Sequence, residues 1–165
     1  MDLPKRKQIR LPNYDYSSPG AYFVTICTQE KRCILSSITV GEGLAPPAVT
    51  LSAIGNCVKA QILALPERYP VIQIDNYVIM PNHIHFLLAI HELSGGASPS
   101  PTLSDAVRVL KSLSTRLSRE YLGDKPLWQR GYYEHVIRGE EDYREIWEYI
   151  ENNPARWAED RYYTA

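Results

Sequence analysis

The sequence has few cysteines and no long hydrophobic run. Its 165 residues include three cysteines, an odd number without a C-x-x-C pair, which argues against a disulfide framework. No apolar stretch approaches the roughly 18 residues that a membrane-spanning helix needs, and the N-terminus is polar and basic without a signal-peptide core. We therefore expect a cytoplasmic protein with buried, reduced thiols and no membrane partner.

An excess of charge of one sign is also missing. Lysine and arginine number 18 and acidic residues 19, so the net charge of −1 does not by itself predict a nucleic-acid partner. The length predicts a single domain, residues 1–165, that begins with a basic arm over residues 1–18. The basic residues of this arm are Lys5, Arg6, Lys7 and Arg10.

The pattern of apolar residues predicts four strands and three helices. The strands are expected at residues 20–28, 71–79, 83–90 and 132–138, and the helices at 51–65, 103–121 and 140–152. Pro66 is expected to end the first helix and Gly123 the second, while residues 36–50 suit a loop or short hairpin. The first six elements predict an α+β fold, a ferredoxin-like antiparallel sheet with helices on one face, to which the last helix is an addition.

The second predicted helix has two different faces. Its buried stripe is expected to contain Ala106, Leu110, Leu113, Leu117 and Tyr121. The opposite face contains Arg108, Lys111, Ser112, Thr115 and Arg119. These side chains either form a solvated surface or donate hydrogen bonds to backbone phosphates.

The third predicted strand contains a histidine pair. Because side chains alternate along a strand, His83 and His85 share one face. The other face has the apolar residues Ile84, Phe86, Leu88 and Ile90. Two neighbouring imidazoles form half of a divalent metal site, and the remaining ligands must come from another element.

The last helix offers such a ligand. Tyr143, Trp147 and Ile150 have the spacing of a packed stripe, whereas Tyr149 and Asn153 lie four residues apart on a neighbouring face. If this end of the helix meets the histidine pair, two imidazoles and one amide oxygen form a site with open positions for Mg²⁺ or Mn²⁺. Tyr149 then lies within reach of the substrate group that the metal ion polarises.

Three segments of the sequence form a recognisable series: Met80-Pro81-Asn82-His83-Ile84-His85, Trp128-Gln129-Arg130-Gly131-Tyr132-Tyr133-Glu134-His135-Val136-Ile137-Arg138 and Tyr149-Ile150-Glu151-Asn152-Asn153-Pro154. In this order they resemble the motifs of the REP-associated tyrosine transposases, a group of single-tyrosine (HUH) transposases in the IS200-like superfamily. The resemblance implies that His83, His85 and Asn153 are metal ligands. It also implies that Tyr149, on the C-terminal helix, is the catalytic nucleophile.

The resemblance further implies metal-dependent nicking and strand transfer of single-stranded or hairpin DNA through a 5′-phosphotyrosine intermediate. The resemblance suggests a folded palindromic repeat as the DNA. From the residues themselves, the basic arm and Arg108, Lys111 and Arg119 are the expected contacts to it. Two alternatives stay open: a catalytically inactive hairpin-binding module, and a structural zinc protein that uses Cys27 or Cys57. Both a monomer and a homodimer are compatible with the sequence.

Glu134 and His135 are adjacent on the last predicted strand, so only one of them can share the face of the histidine pair. They either form a polar pair that anchors the last helix or provide a carboxylate that orients a ligand histidine.

Overall fold

A computed structural model describes residues 20–92 and 101–165 of the chain. The predicted basic arm lies outside these ranges. The elements are β1 (Gly20–Cys27), β2 (Ser36–Thr39), β3 (Ala48–Leu51), α1 (Ala53–Arg68), β4 (Ile72–Ile79), β5 (His83–Ile90), α2 (Leu103–Leu117), α3 (Arg119–Leu122), β6 (Tyr133–Val136) and α4 (Glu140–Asn152). Short 3-10 segments follow β1 and α4, at Gln29–Lys31 and Pro154–Glu159. None of the helices in the described ranges is long and apolar enough to cross a membrane.

The main sheet confirms the predicted ferredoxin-like arrangement. Its strand order is β4-β5-β1-β6, and each neighbouring pair is antiparallel. β1 and β5 pair along their whole length, from Gly20 opposite Ile90 to Cys27 opposite His83. The hairpin expected within residues 36–50 is present as β2 and β3, which form a separate two-stranded sheet.

The two faces of the sheet have different roles. Helices α1 and α2 cover one face, where Ile84, Phe86, Leu88 and Ile90 of β5 lie in the main core. On the other face, α4 packs through Ile150 against Phe23 and Leu87, which form a smaller apolar cluster. His83 and His85 alternate with the core residues of β5 and so lie on this second face, as the strand pattern predicts.

Helix α1 differs from the prediction at its end. It continues through Pro66 to Arg68, whereas Pro66 was expected to end it. A proline in the last turn removes only its own N–H from the helix ladder. The helical hydrogen bonds continue beyond Pro66, where the N–H of Tyr69 donates to the Leu65 carbonyl at 2.9 Å.

Helix α2 is shorter and rotated relative to the prediction. It ends at Leu117, and the separate turn α3 follows before Gly123 closes the region with a φ of 61°. Leu117 and Tyr121 are 47% and 52% exposed, so the predicted stripe is wrong at this end. Ser114 and Ser118 are buried instead, because the Ser114 hydroxyl accepts a hydrogen bond from the buried Trp128 indole (2.9 Å).

Helix α4 has the predicted bounds but only part of the predicted packing. Ile150 is buried, and the hydroxyl of the partly buried Tyr143 donates to a carboxylate oxygen of Asp75 at 2.9 Å. Trp147 is 37% exposed and contacts Tyr143 along the helix surface. One stripe of α4 therefore anchors the helix, and the turn that contains Tyr149 and Asn153 is aimed at the histidine pair.

We expect Ser114→Ala to lower the free energy of unfolding by about 1–3 kcal/mol, because it leaves the indole N–H of Trp128 buried without its acceptor. Urea denaturation measures this change. Ser112→Ala, at an exposed position of the same helix, is the matched control and should change stability by less than about 0.5 kcal/mol. Equal effects for the two variants would contradict the assigned hydrogen bond.

Candidate metal and tyrosine site

The histidine pair forms the floor of the site. His83 and His85 are 0% and 1% exposed, and their Nε2 atoms lie 3.1 Å apart. Burial lowers the pKa of His83 to about 3. Burial and the charge of His83 hold the pKa of His85 well below its ordinary value. Both rings are therefore neutral near pH 7, which is the form that binds metal ions.

The other ring nitrogens are fixed by neighbours. His83 Nδ1 donates to Asn82 Oδ1 at 2.8 Å, while Asn82 Nδ2 donates to the Tyr162 carbonyl at 2.7 Å. His85 Nδ1 is hydrogen-bonded to Thr25 Oγ1 at 2.8 Å. Since the oxygen of Asn82 can only accept, neutral His83 has its proton on Nδ1 and directs the lone pair of Nε2 towards His85. This is the tautomer that a metal-binding histidine requires.

Asn153 approaches the pair from the C-terminal end of α4. The residue is 4% exposed, and its Oδ1 has no hydrogen-bond partner among the described residues. Its carboxamide is close enough to raise the pKa of His83 and lower that of Tyr149. A buried amide oxygen without a partner is costly unless a donor or a cation is bound to it. The structure thus brings together the three predicted ligands, and their donor atoms fit a divalent cation.

Asp160 is a further donor that the sequence did not reveal. Its Oδ2 lies 3.9 Å from His83 Nε2, and its side chain is 3% exposed. One donor atom each from His83, His85 and Asp160 lies within 4.8 Å of the other two. Asp160 follows the 3-10 segment Pro154–Glu159, which folds back under the site. Nothing in the sequence distinguishes it from the 18 other acidic residues, because its position depends on that fold.

Tyr149 lies beside the histidine pair. Its ring centroid is 5.3 Å from that of His85 and 5.9 Å from that of Phe23, and the residue is 42% exposed. Burial and the charge of Asp160 raise the pKa of Tyr149, whereas Asn153 and Arg161 act in the opposite direction. The hydroxyl is therefore protonated near neutral pH and must lose its proton to act as a nucleophile.

Two cavities meet at Tyr149. The inner cavity, of about 370 Å³, lies over β1 and β6 and contacts Phe23, Thr25 and Tyr133. The outer cavity, of about 500 Å³, lies between α4 and the C-terminal segment. Four carboxylate residues line the outer cavity: Glu145, Glu148, Glu159 and Asp160. The inner cavity is mainly aromatic and leads directly to His85.

The predicted basic face of α2 is only partly available. Lys111 Nζ donates to the carbonyls of Gln129 (2.7 Å) and Gly131 (3.0 Å), so this ammonium is largely used inside the protein. Arg108 is exposed and lies 3.4 Å from Asp105. Arg119 lines a groove of about 540 Å³ whose other polar residues are Lys111, Ser112, Thr115 and Arg116. The arm residues Lys5, Arg6, Lys7 and Arg10 lie outside the described residues.

The structure decides between the two interpretations of Glu134 and His135. His135 Nε2 lies 2.9 and 3.0 Å from the carboxylate oxygens of Asp142, which ties β6 to the first turn of α4. Glu134 is opposite Val24, a residue of the main core, and is therefore on the face away from the histidine pair. His135 anchors the last helix as one interpretation held, and a role for Glu134 in orienting His83 or His85 is excluded.

The positions of the cysteines also argue against a structural zinc site that uses Cys27 or Cys57. Cys57 lies on α1, across the sheet from the histidine pair, and its thiol contacts the Leu117 carbonyl. Cys27 is opposite His83 in the ladder. However, within residues 20–92 and 101–165 the cluster that could hold a metal consists of His83, His85 and Asp160, without a thiol.

Comparisons with known proteins agree with this architecture. The sequence model of the family "Transposase IS200 like" matches residues 58–153. An uncharacterized protein of Haemophilus influenzae is 36% identical, over 96% of this chain and 93% of its own length. A second protein of that organism, named as a REP-associated tyrosine transposase, is 25% identical over 88% of this chain and 77% of its own length.

The fold is also found in a solved structure of a REP-associated tyrosine transposase bound to a REP hairpin. It has a TM-score of 0.62 and 22% identity to this chain, and the match covers 89% of this chain and 73% of that one. The match to the family model spans more than half of the chain and includes the histidine pair, Tyr149 and Asn153. The chain therefore belongs to the IS200-like transposase family.

Proposed function

We propose that this transposase nicks and rejoins single-stranded DNA through Tyr149, with a divalent cation, Mg²⁺ or Mn²⁺, held by His83, His85 and Asn153. The observation that carries the proposal is the convergence of two buried imidazole nitrogens and one amide oxygen, which has no hydrogen-bond partner among the described residues, beside an accessible tyrosine. Asp160 is close enough to be a fourth ligand. A cation bound there supplies neutralisation of phosphate charge and orientation of the phosphate.

The reaction at Tyr149 is a transfer of the phosphate from one oxygen to another. The phenol loses its proton as Oη forms a bond to phosphorus, and the bond between phosphorus and the 3′ oxygen breaks. The 3′ oxygen takes up a proton and becomes a free hydroxyl, while the 5′ side stays attached as a phosphotyrosine. Because the number of phosphoester bonds is unchanged, a 3′-hydroxyl can reverse the step and join strands without ATP.

The substrate proposed is a palindromic repeat folded as a hairpin with a single-stranded flank. The groove lined by Arg116 and Arg119 offers cations and hydroxyls for its backbone phosphates, and the exposed Arg108 extends this surface. Lys111 holds the chain near Gln129 and Gly131 and has few donors left for DNA. The similar fold of a transposase bound to a REP hairpin supports this choice of substrate.

Tyr149→Phe is expected to abolish the covalent protein–DNA adduct while hairpin affinity changes by less than about threefold, because only the attacking oxygen is removed. The assay uses a labelled hairpin with Mn²⁺ or Mg²⁺, denaturing electrophoresis and mass mapping of the adduct. Tyr163→Phe, an exposed tyrosine of the C-terminal segment, is the matched control. An adduct formed by Tyr149→Phe rules out this nucleophile. Hairpin binding without an adduct in the wild-type protein would favour an inactive binding module.

Asn153→Ala is expected to weaken Mn²⁺ binding by about 10–100-fold, since one of three converging donors is lost. Electron paramagnetic resonance of free Mn²⁺ measures affinity without depending on DNA cleavage. Asn152→Ala, at the exposed neighbouring position, should leave the affinity unchanged. If both variants bind Mn²⁺ like the wild type, Asn153 is not a ligand.

Arg119→Gln is expected to weaken hairpin binding. It should also reduce the steepness of the plot of log association constant against log salt concentration by about one, as for loss of a single phosphate contact. Affinity is measured by fluorescence anisotropy over a series of salt concentrations. Arg68→Gln, exposed at the end of α1, is the control and should leave the slope unchanged. An unaltered slope for Arg119→Gln would place the hairpin elsewhere on the protein.

A further inference from the structure

Arg161 lies beside Tyr149, where the two cavities meet. Of the residues that line the inner cavity, only Tyr149 and Arg161 also line the outer one. Arg161 belongs to the segment after α4, which lies outside the part of the chain that matches the family model. Its presence beside Tyr149 therefore comes from the way this segment folds back and is not covered by the family match.

The guanidinium of Arg161 is held in place by aromatic rings. Its central carbon lies 4.7 Å from the ring centroid of Tyr162 and 5.7 Å from that of Tyr133. Nη2 also donates a hydrogen bond to the Tyr162 hydroxyl. Arg161 makes no salt bridge with any carboxylate in the described part of the chain. Among the described residues it is thus an exposed cation without a counterion, held by aromatic rings and with several N–H groups left to donate.

The positive charge of Arg161 reaches the reacting groups. Burial raises the pKa of Tyr149 and that of Tyr162, and Arg161 acts against this rise, which means that it favours negative charge at both phenols. A cation that stabilises the Tyr149 phenolate is also placed to stabilise the phosphate that this oxygen attacks.

The charges around the two cavities indicate which one admits the DNA strand. Besides Asp160, which lies at the proposed cation site, three carboxylate residues of the outer cavity outnumber Arg156 and Arg161, and this balance of charge disfavours a phosphodiester there. In the inner cavity the carboxylate of Asp142 is paired with His135, and among the described residues that line it Arg161 is the only arginine or lysine. A phosphate that enters from the inner side meets Arg161 and Tyr149 together.

We propose that Arg161 is a catalytic residue that binds the scissile phosphate from the inner cavity, next to Tyr149. This rests on the proposed nicking function. The planar guanidinium can donate two parallel hydrogen bonds to non-bridging oxygens, whose charge grows as the phenolic oxygen approaches. His83, His85 and Asn153 serve the cation site, so Arg161 supplies positive charge that does not depend on the metal.

The first measurement is single-turnover cleavage of a hairpin whose nick has been mapped with the wild-type protein. Arg161→Gln should slow adduct formation by about 100-fold, which is typical for loss of one preorganised donor to a developing charge. Arg161→Lys should recover part of this loss because it restores the charge without the planar donor pair. The matched control is Arg144→Gln, at an exposed arginine of α4 that lines neither of the two cavities.

The second measurement separates contact with the phosphate from a structural role. In the Tyr149→Phe background and without metal, affinity is compared for DNA with a phosphate or an uncharged methylphosphonate at the scissile position. Arg161→Gln should weaken binding about 10-fold with the phosphate and less than twofold with the methylphosphonate. A structural role would weaken binding to both DNAs equally, and that result would overturn the proposal.

The possible failures are distinguishable. Adduct formation by Arg161→Gln at the wild-type rate overturns the role of Arg161 and leaves the nicking function intact. A wild-type protein that forms no adduct overturns the nicking function and the role of Arg161 with it.

Discussion

Two neutral imidazole nitrogens face each other 3.1 Å apart in the buried interior of this protein, and the rest of the site depends on that contact. Because neutral His83 has its proton on Nδ1, its Nε2 accepts, either from a proton on His85 Nε2 or as a ligand of a cation. The scaffold enforces the arrangement, because Asn82 fixes the tautomer of His83 and Thr25 holds the opposite nitrogen of His85. The fold thus holds the two ring nitrogens in place before any cation binds.

The two faces of the main sheet support this arrangement in different ways. One face of β5 provides apolar residues to the main core, so the strand is held rigidly by α1 and α2. The other face is covered by α4, through the small cluster around Ile150, and by the segment after α4, where Trp157 and Tyr162 lie against His83. This weaker cover leaves room for Tyr149 and for two cavities beside it. The proposed nicking site needs rigid ligands and an open approach for a DNA strand. One face of the sheet would supply the rigidity and the other the approach.

The segment after α4 determines the electrostatics of the site. It places Asp160 next to His83, while its neighbour Arg161 lies beside Tyr149. A carboxylate at the cation site adds a hard oxygen donor, and a guanidinium near the phenol favours the anionic form of that phenol. Tyr162 links the two halves, because its carbonyl accepts from Asn82 and its hydroxyl accepts from Arg161.

The sequence alone was sufficient for the features that depend on local periodicity. Alternation along β5 put His83 and His85 on one face, and a spacing of four residues put Tyr149 next to Asn153. The ferredoxin-like strand order also follows from the sequence of elements, since connection rules leave few topologies for it.

Only the tertiary structure decided which polar groups meet. The buried face of α2 could not be predicted correctly from the sequence. Ser114 is buried there because its hydroxyl accepts a hydrogen bond from the indole of Trp128, a residue from a later segment. Lys111 looks like a free cation in the sequence but is bonded to two carbonyls some twenty residues away. Asp160 and Arg161 belong to the site only because the chain turns back after Pro154. Such contacts between distant residues have no periodicity, so no local pattern in the sequence records them.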